Sequence, residues 1–259
     1  MNALLPAIAE LIGLAQSTLE IGFLVFLRVG AMMALLPAFG EQAVPQRIKL
    51  VLALAFTAVT APALGPDLAG LDVPLPKLMA TETIAGLLLG IGLRLFVHTL
   101  QIAGAIAAQA TTLSQFFGGA GPEPQPGFTN MLVVAGLAAA VAAGLHIRVA
   151  EMLILSYMPL PAGQWPGSAD VSTWALAQVA RAFSLGFALA APFTIASVIY
   201  NVALGVINRA MPQLMMSMIG APALTLGGLA LLALSAPMAL ALWIQTVNAY
   251  AANPFAVVP

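Results

Sequence analysis

The sequence contains no cysteine. It therefore offers no disulfide framework and no cysteine-ligated metal site. Histidine is almost as scarce. His98 and His146 are far apart in the chain, which argues against a histidine-rich metal site. Charge is thin as well: Asp, Glu, Lys and Arg make up 7% of 259 residues, where a soluble domain carries about 25%. A water-facing surface cannot be covered with so few. The net charge of −1 leaves no basic footprint for nucleic acid. No phosphate-binding G-x-x-x-x-G-K-[ST], zinc-binding H-E-x-x-H or nucleophile-elbow G-x-S-x-G occurs. The few carboxylates form no suitably spaced pair on one helical face. Neither an enzyme nor a cofactor is expected, and an intramembrane hydrolase is the least favoured reading. The opening MNALLPAIAELIGLAQS lacks the cationic region of a cleavable signal peptide, so the chain is expected to insert through its own apolar segments.

What the chain has is apolar length: 61% of it is hydrophobic. Six segments stand out, at residues 20–36, 48–61, 77–117, 130–158, 174–208 and 213–250. The first is closed by Pro37 and Gly40, the second by Pro62, and the fifth is expected to kink at Pro192. The fold class is an all-α integral membrane protein. Arg47, Lys49 and Arg209 mark one side of the membrane, so the positive-inside rule gives six spans with both termini outside the cytoplasm. Two segments are too long for that plan. As helices the third extends roughly 60 Å and the sixth roughly 55 Å, against a hydrocarbon core of about 30 Å. Long, bent helical hairpins packed on one another and on neighbouring chains follow better. The twelve methionines read as soft gap-filling core.

Polar residues inside these segments are the candidate functional groups. A central arginine costs about 2.5–3.5 kcal/mol on insertion scales, and Arg28 sits mid-segment. On the third segment Arg94, His98, Gln101, Gln109 and Thr112 fall on one helical face. Such a stripe faces water, a pore, or the hydrogen-bonding groups of a bundle. Gly86 and Gly90 have small-xxx-small spacing for helix contact. Arg148 and Glu151 can pair at i,i+3. Residues 191–222 hold Asn201, Asn208, Arg209 and Gln213, with Met211–Pro212 interposed. They read as a helix, a polar turn at 208–212 and a returning helix, or as a loop whose arginine snorkels. Residues 114–127, SQFFGGAGPEPQPG, cannot form regular structure, and Phe116 and Phe117 are better placed against something than left exposed.

Two stretches carry a resemblance. LGVINRAMPQLMMSMIGAP holds Gly205, Asn208, Arg209, Pro212, Gln213, Gly220 and Pro222, and LRVGAMMALLPAFGEQAVPQRIKLVLALAFTAVTAP lies near the start. Together they resemble the FliR/SctT family of flagellar and type III secretion export-gate membrane proteins, over essentially the whole chain. The resemblance implies a fusion of two sister folds, a FliP-like part at residues 1–172 and a FliQ-like helical hairpin at 173–259, packed in a helical hetero-oligomer. The partners it implies are FliP, FliQ and FlhB, transient unfolded export substrates and membrane lipid. It places the protein in the bacterial inner membrane and the flagellar basal body, partly on the periplasmic side. It implies that the loop at 114–127 is a plug, with Phe116, Phe117, Gly118, Gly119, Gly121 and Pro122 as its residues. Arg28, Arg94, His98, Gln101, Gln109, Asn201, Asn208, Arg209, Pro212 and Gln213 are then pore-lining or assembly residues. The wording leans flagellar over its virulence-injectisome equivalent. The other class of function open to broken, polar-bearing helices is a small-molecule secondary transporter. The lack of a visible repeat between halves and the excess helix length argue against that.

Overall fold

The computed structural model describes residues 4–68, 70–111, 127–211 and 216–256. Among these there are seven α-helices and no strand: α1 (Leu4–Met33), α2 (Gln46–Leu68), α3 (Leu75–Thr111), α4 (Gly127–Ala142), α5 (Leu145–Leu155), α6 (Ser168–Ala210) and α7 (Met216–Ala252). Five are long and apolar enough to cross a membrane, and α4 with α5 make a sixth candidate if the broken pair counts as one span.

Local chemistry sets most of the boundaries. Pro45 and Pro74 lie just before α2 and α3, and their carbonyls accept the first amide hydrogen bonds of those helices. The prolines leave no unsatisfied donor at a position where one would be idle. Asp170 lies in the first turn of α6 and Arg209 in its last, each matching the sign of the helix dipole at its end.

Three expectations are corrected. The fourth apolar segment is not continuous. Gly144 takes a left-handed conformation, φ 84° and ψ 30°, which ends α4 and lets its carbonyl start α5. Pro62 does not close the second helix, because α2 runs on through it to Leu68. The turn expected at 208–212 does not begin at Asn208, since Asn208 and Arg209 belong to the last turn of α6. That helix also continues through Pro192 as a single element. Pro212 and Gln213 lie outside the described residues.

The chain falls into two compact units. The first comprises Met1–Arg94, Gly144–Ala177 and Asn248–Pro259, the second Leu95–Ala143 and Gln178–Val247. In the first, α1 packs on α2 and α2 on α5. Its core holds Val25, Val29, Met32, Leu89, Leu93 and Met152. Trp174 donates its indole N–H to the Pro254 carbonyl at 2.7 Å and lies 5.9 Å from the Phe255 ring. Helix α1 approaches α3 closely because α3 carries glycine there. A Cβ at Gly86 would collide with the Arg28 carbonyl oxygen, and one at Gly90 would stand 3.0 Å from the Met32 carbonyl. The spacing of Gly86 and Gly90 thus serves helix contact, as expected. In the second unit, Ala107, Phe193 and Leu232 are packed by Phe128 and Ala236. Trp243 is pinned through its N–H to the Phe96 carbonyl at 2.8 Å.

Candidate functional site

Arg28 is 1% exposed and Glu82 is fully buried. The guanidinium is held as a two-point clasp. Its Nε donates to Glu82 Oε2 at 2.9 Å, and its Nη2 donates to Glu82 Oε1 at 3.0 Å. The remaining bonds reach the turn after α5, where Nη1 donates to Ser156 Oγ at 2.9 Å and Nη2 to the Leu160 carbonyl at 2.8 Å. Ser156 passes its own proton to the Leu153 carbonyl. The Tyr157 ring lies 3.5 Å below the guanidinium carbon, and its hydroxyl donates to Glu82 Oε2 at 2.9 Å. Burial pushes the Tyr157 phenol well above its ordinary range; Arg28 opposes this and Glu82 adds to it. The hydroxyl therefore stays protonated and stays a donor. A charge taken out of water needs a partner and filled hydrogen bonds, and this cluster supplies both. Arg28 is thus engaged inside the first unit, clasping α1, α3 and the α5–α6 connector. Sequence reading singled out Arg28 and missed Glu82, Ser156 and Tyr157.

The stripe on α3 divides along its length. Arg94 is half-buried and meets Glu41 of the α1–α2 connector at 2.6 Å. That connector is tight. Ala38 has a positive φ of 67°, Gly40 has no room for a side chain against the Met33 and Leu36 backbone, and Lys49 donates to the Gly40 carbonyl at 2.8 Å. His98 is exposed and shares a hydrogen bond with Gln101 at 2.7 Å. Gln109 is exposed two turns further on. Along α3 Arg94 is thus tied to Glu41, His98 and Gln109 are exposed, and Gln101 between them is half-buried. Thr112 and the plug residues Phe116, Phe117, Gly118, Gly119, Gly121 and Pro122 lie outside the described residues.

Helix α6 changes character at Phe193. Up to that point it contributes core, but from residue 194 to 210 none of its described side chains is buried. Val198, Ile199, Val202 and Val206 are exposed, and so are Asn201 and Arg209. By helical register Asn201 and Gly205 share one face. A Cβ at Gly205 meets nothing within 4 Å. This half-helix mixes exposed polar and exposed apolar side chains, and among the described residues none of it is fully buried. The Arg148–Glu151 pair forms at 3.0 Å on the surface of α5. Among the described residues no three His, Cys, Asp or Glu gather where a metal could be held.

With this geometry in hand, similarity to known proteins is informative. The profile of the family described as "Bacterial export proteins, family 1" matches residues 19–250. The "Flagellar biosynthetic protein FliR" of Caulobacter vibrioides is 35% identical over 218 residues, covering 82% of this chain and 86% of that protein. Proteins of the same name from Escherichia coli and Aquifex aeolicus are each 28% identical. The first covers 86% of both chains. The second covers 82% of this chain and 84% of its own. A match that begins in α1, ends in α7 and spans both compact units assigns the chain as a whole, and it belongs to the FliR family of bacterial export proteins.

Proposed function

We propose that the chain is a non-enzymatic core subunit of the flagellar type III protein export gate in the bacterial inner membrane, forming part of the channel for unfolded export substrates. The observation that carries this reading is the near full-length match to proteins named for flagellar biosynthesis. The structure supports it through what it leaves uncovered. A half-helix with exposed apolar and polar side chains suits a place among companion subunits. FliP, FliQ and FlhB are the companions this reading calls for. Energy and substrate choice come from other components. On the same reading residues 1–172 are the FliP-like part, residues 173–259 the FliQ-like hairpin, and the loop at 114–127 the plug of the resting channel. The stripe of His98, Gln101 and Gln109 is then a lining or assembly face, and the complex sits in the basal body, partly on the periplasmic side.

The test is export itself. Deleting the gene should abolish secretion of hook and filament subunits into the medium, and a plasmid copy should restore it. Continued secretion by the deletion strain would overturn the proposal.

A further inference from the structure

The five candidate membrane spans among the described residues differ in length. Those in α3, α6 and α7 run to 36, 40 and 27 residues, and the 19-residue stretch of α1 holds Glu20 and Arg28. The α2 span, Gln46–Gly65, has 20 residues. As helix that is about 30 Å, the thickness of a hydrocarbon core. Its charges stand at the ends of the helix. Arg47 and Lys49 lie in the first turn of α2 and Asp67 in its last, and residues 50–66 carry no charge.

The two faces of α2 divide by polarity. The buried positions are Ala53, Thr57, Thr60, Leu64 and Leu68, spaced three or four residues apart and therefore on one face. Both threonine hydroxyls donate within the helix, Thr57 to the Ala53 carbonyl at 2.7 Å and Thr60 to the Phe56 carbonyl at 2.8 Å. From residue 48 to 63 every exposed position is apolar, with Val51 64%, Leu54 52% and Val59 68% exposed. A helix at a water-facing surface has the opposite arrangement. Contacts between membrane helices favour small and hydroxyl-bearing residues, and α2 keeps its threonines on the buried side while larger side chains look outward. The second half of α6 differs, since Asn201 and Arg209 are exposed among its apolar side chains. We infer that the outward face of α2 is a lipid-contact surface: in the assembled protein it meets the acyl chains of the bilayer and no companion subunit, with Arg47 at the headgroup level of one leaflet. This rests on the inner-membrane reading and is independent of the channel role.

Photocrosslinking of the full-length chain in intact host membranes tests this. The photoreactive residue p-benzoylphenylalanine replaces Val51 or Val59 of α2, both exposed so that the probe has room, or Ile199 of α6 for contrast. On irradiation its ketone adds across a neighbouring C–H bond with no loss of mass, so an adduct weighs the sum of its parts. With Val51 or Val59 replaced, the chain should gain the mass of one phospholipid and form no crosslinked protein. With Ile199 replaced, it should form a protein adduct in the same membranes. Ala55, also exposed, serves as a third outward position should either α2 replacement lower expression. Protein adducts at the α2 positions, or no lipid adduct at any of them, would overturn the inference while the chain stays in the membrane pellet after alkaline carbonate. Release of the chain by carbonate would overturn the membrane placement itself, and the inference with it.

Discussion

Arg28 and Glu82 stand 54 positions apart in the chain and meet through two hydrogen bonds with almost no exposure to solvent. Around them Ser156, Tyr157 and the Leu160 carbonyl take up the remaining valences. A mid-segment arginine that read as a pore or assembly candidate is, in the folded chain, the knot that ties three segments of one unit.

Breaking that knot on one side should be costly. Arg28→Leu leaves a buried carboxylate without its counter-ion, a change worth about 3–5 kcal/mol. The paired replacement Arg28→Met with Glu82→Met removes both charges and should recover much of that loss. Thermal unfolding in detergent, followed by tryptophan fluorescence, reads the difference. Equal melting of Arg28→Leu and wild type would show that the clasp does not hold the unit together.

The α1–α3 contact makes a second prediction through its glycines. Gly86→Ala places a methyl against the Arg28 carbonyl and should destabilise by about 1–3 kcal/mol, the usual cost of overpacking. Gly90→Ala has slightly more room and should cost less. Gly205→Ala meets open space and should leave the melting of the isolated chain unchanged. The order Gly86, Gly90, Gly205 is the point to check.

The uncovered half of α6 predicts a separation of stability from assembly. Asn201→Leu, Gly205→Leu and Arg209→Ala should leave the isolated chain as stable as before and reduce copurification with sister subunits. Undiminished copurification across all three would show that this face meets lipid alone. Arg94→Ala works differently. Its half-exposed pair with Glu41 is worth about 1 kcal/mol or less, so only a small shift in melting should follow.

The loop at residues 114–127 carries the plug proposal on its sequence. Deleting residues 116–121 should raise passive leakage of ions or small solutes across the membrane. A membrane as tight as wild type after that deletion would remove the plug role.

Much of this was legible in the sequence, and what was not has identifiable reasons. Composition excludes a soluble fold without any structural input. Helical periodicity places Arg94, His98, Gln101 and Gln109 on one face, and the Gly86–Gly90 spacing marks a contact that the fold uses. Periodicity does not report partners across the chain. Nothing near Arg28 points to Glu82 or to the turn at Ser156, because three-dimensional pairing leaves no local pattern. Proline was overweighted as a stop signal. Pro62 is carried inside α2, as apolar membrane-type helices tolerate. Glycine was underweighted, since Gly144 breaks a segment whose neighbours are nearly all apolar.

The central claim is that this chain is built to be covered by companions around a conduit. It is tested most directly by extracting the tagged protein in mild detergent and weighing the intact particle with its subunits counted by mass. The account predicts a hetero-oligomer far heavier than the 26.5 kDa chain, containing sister membrane subunits in fixed ratio. Extraction from its host as a monomer free of sister subunits, or as a symmetric assembly of this chain alone, would contradict it.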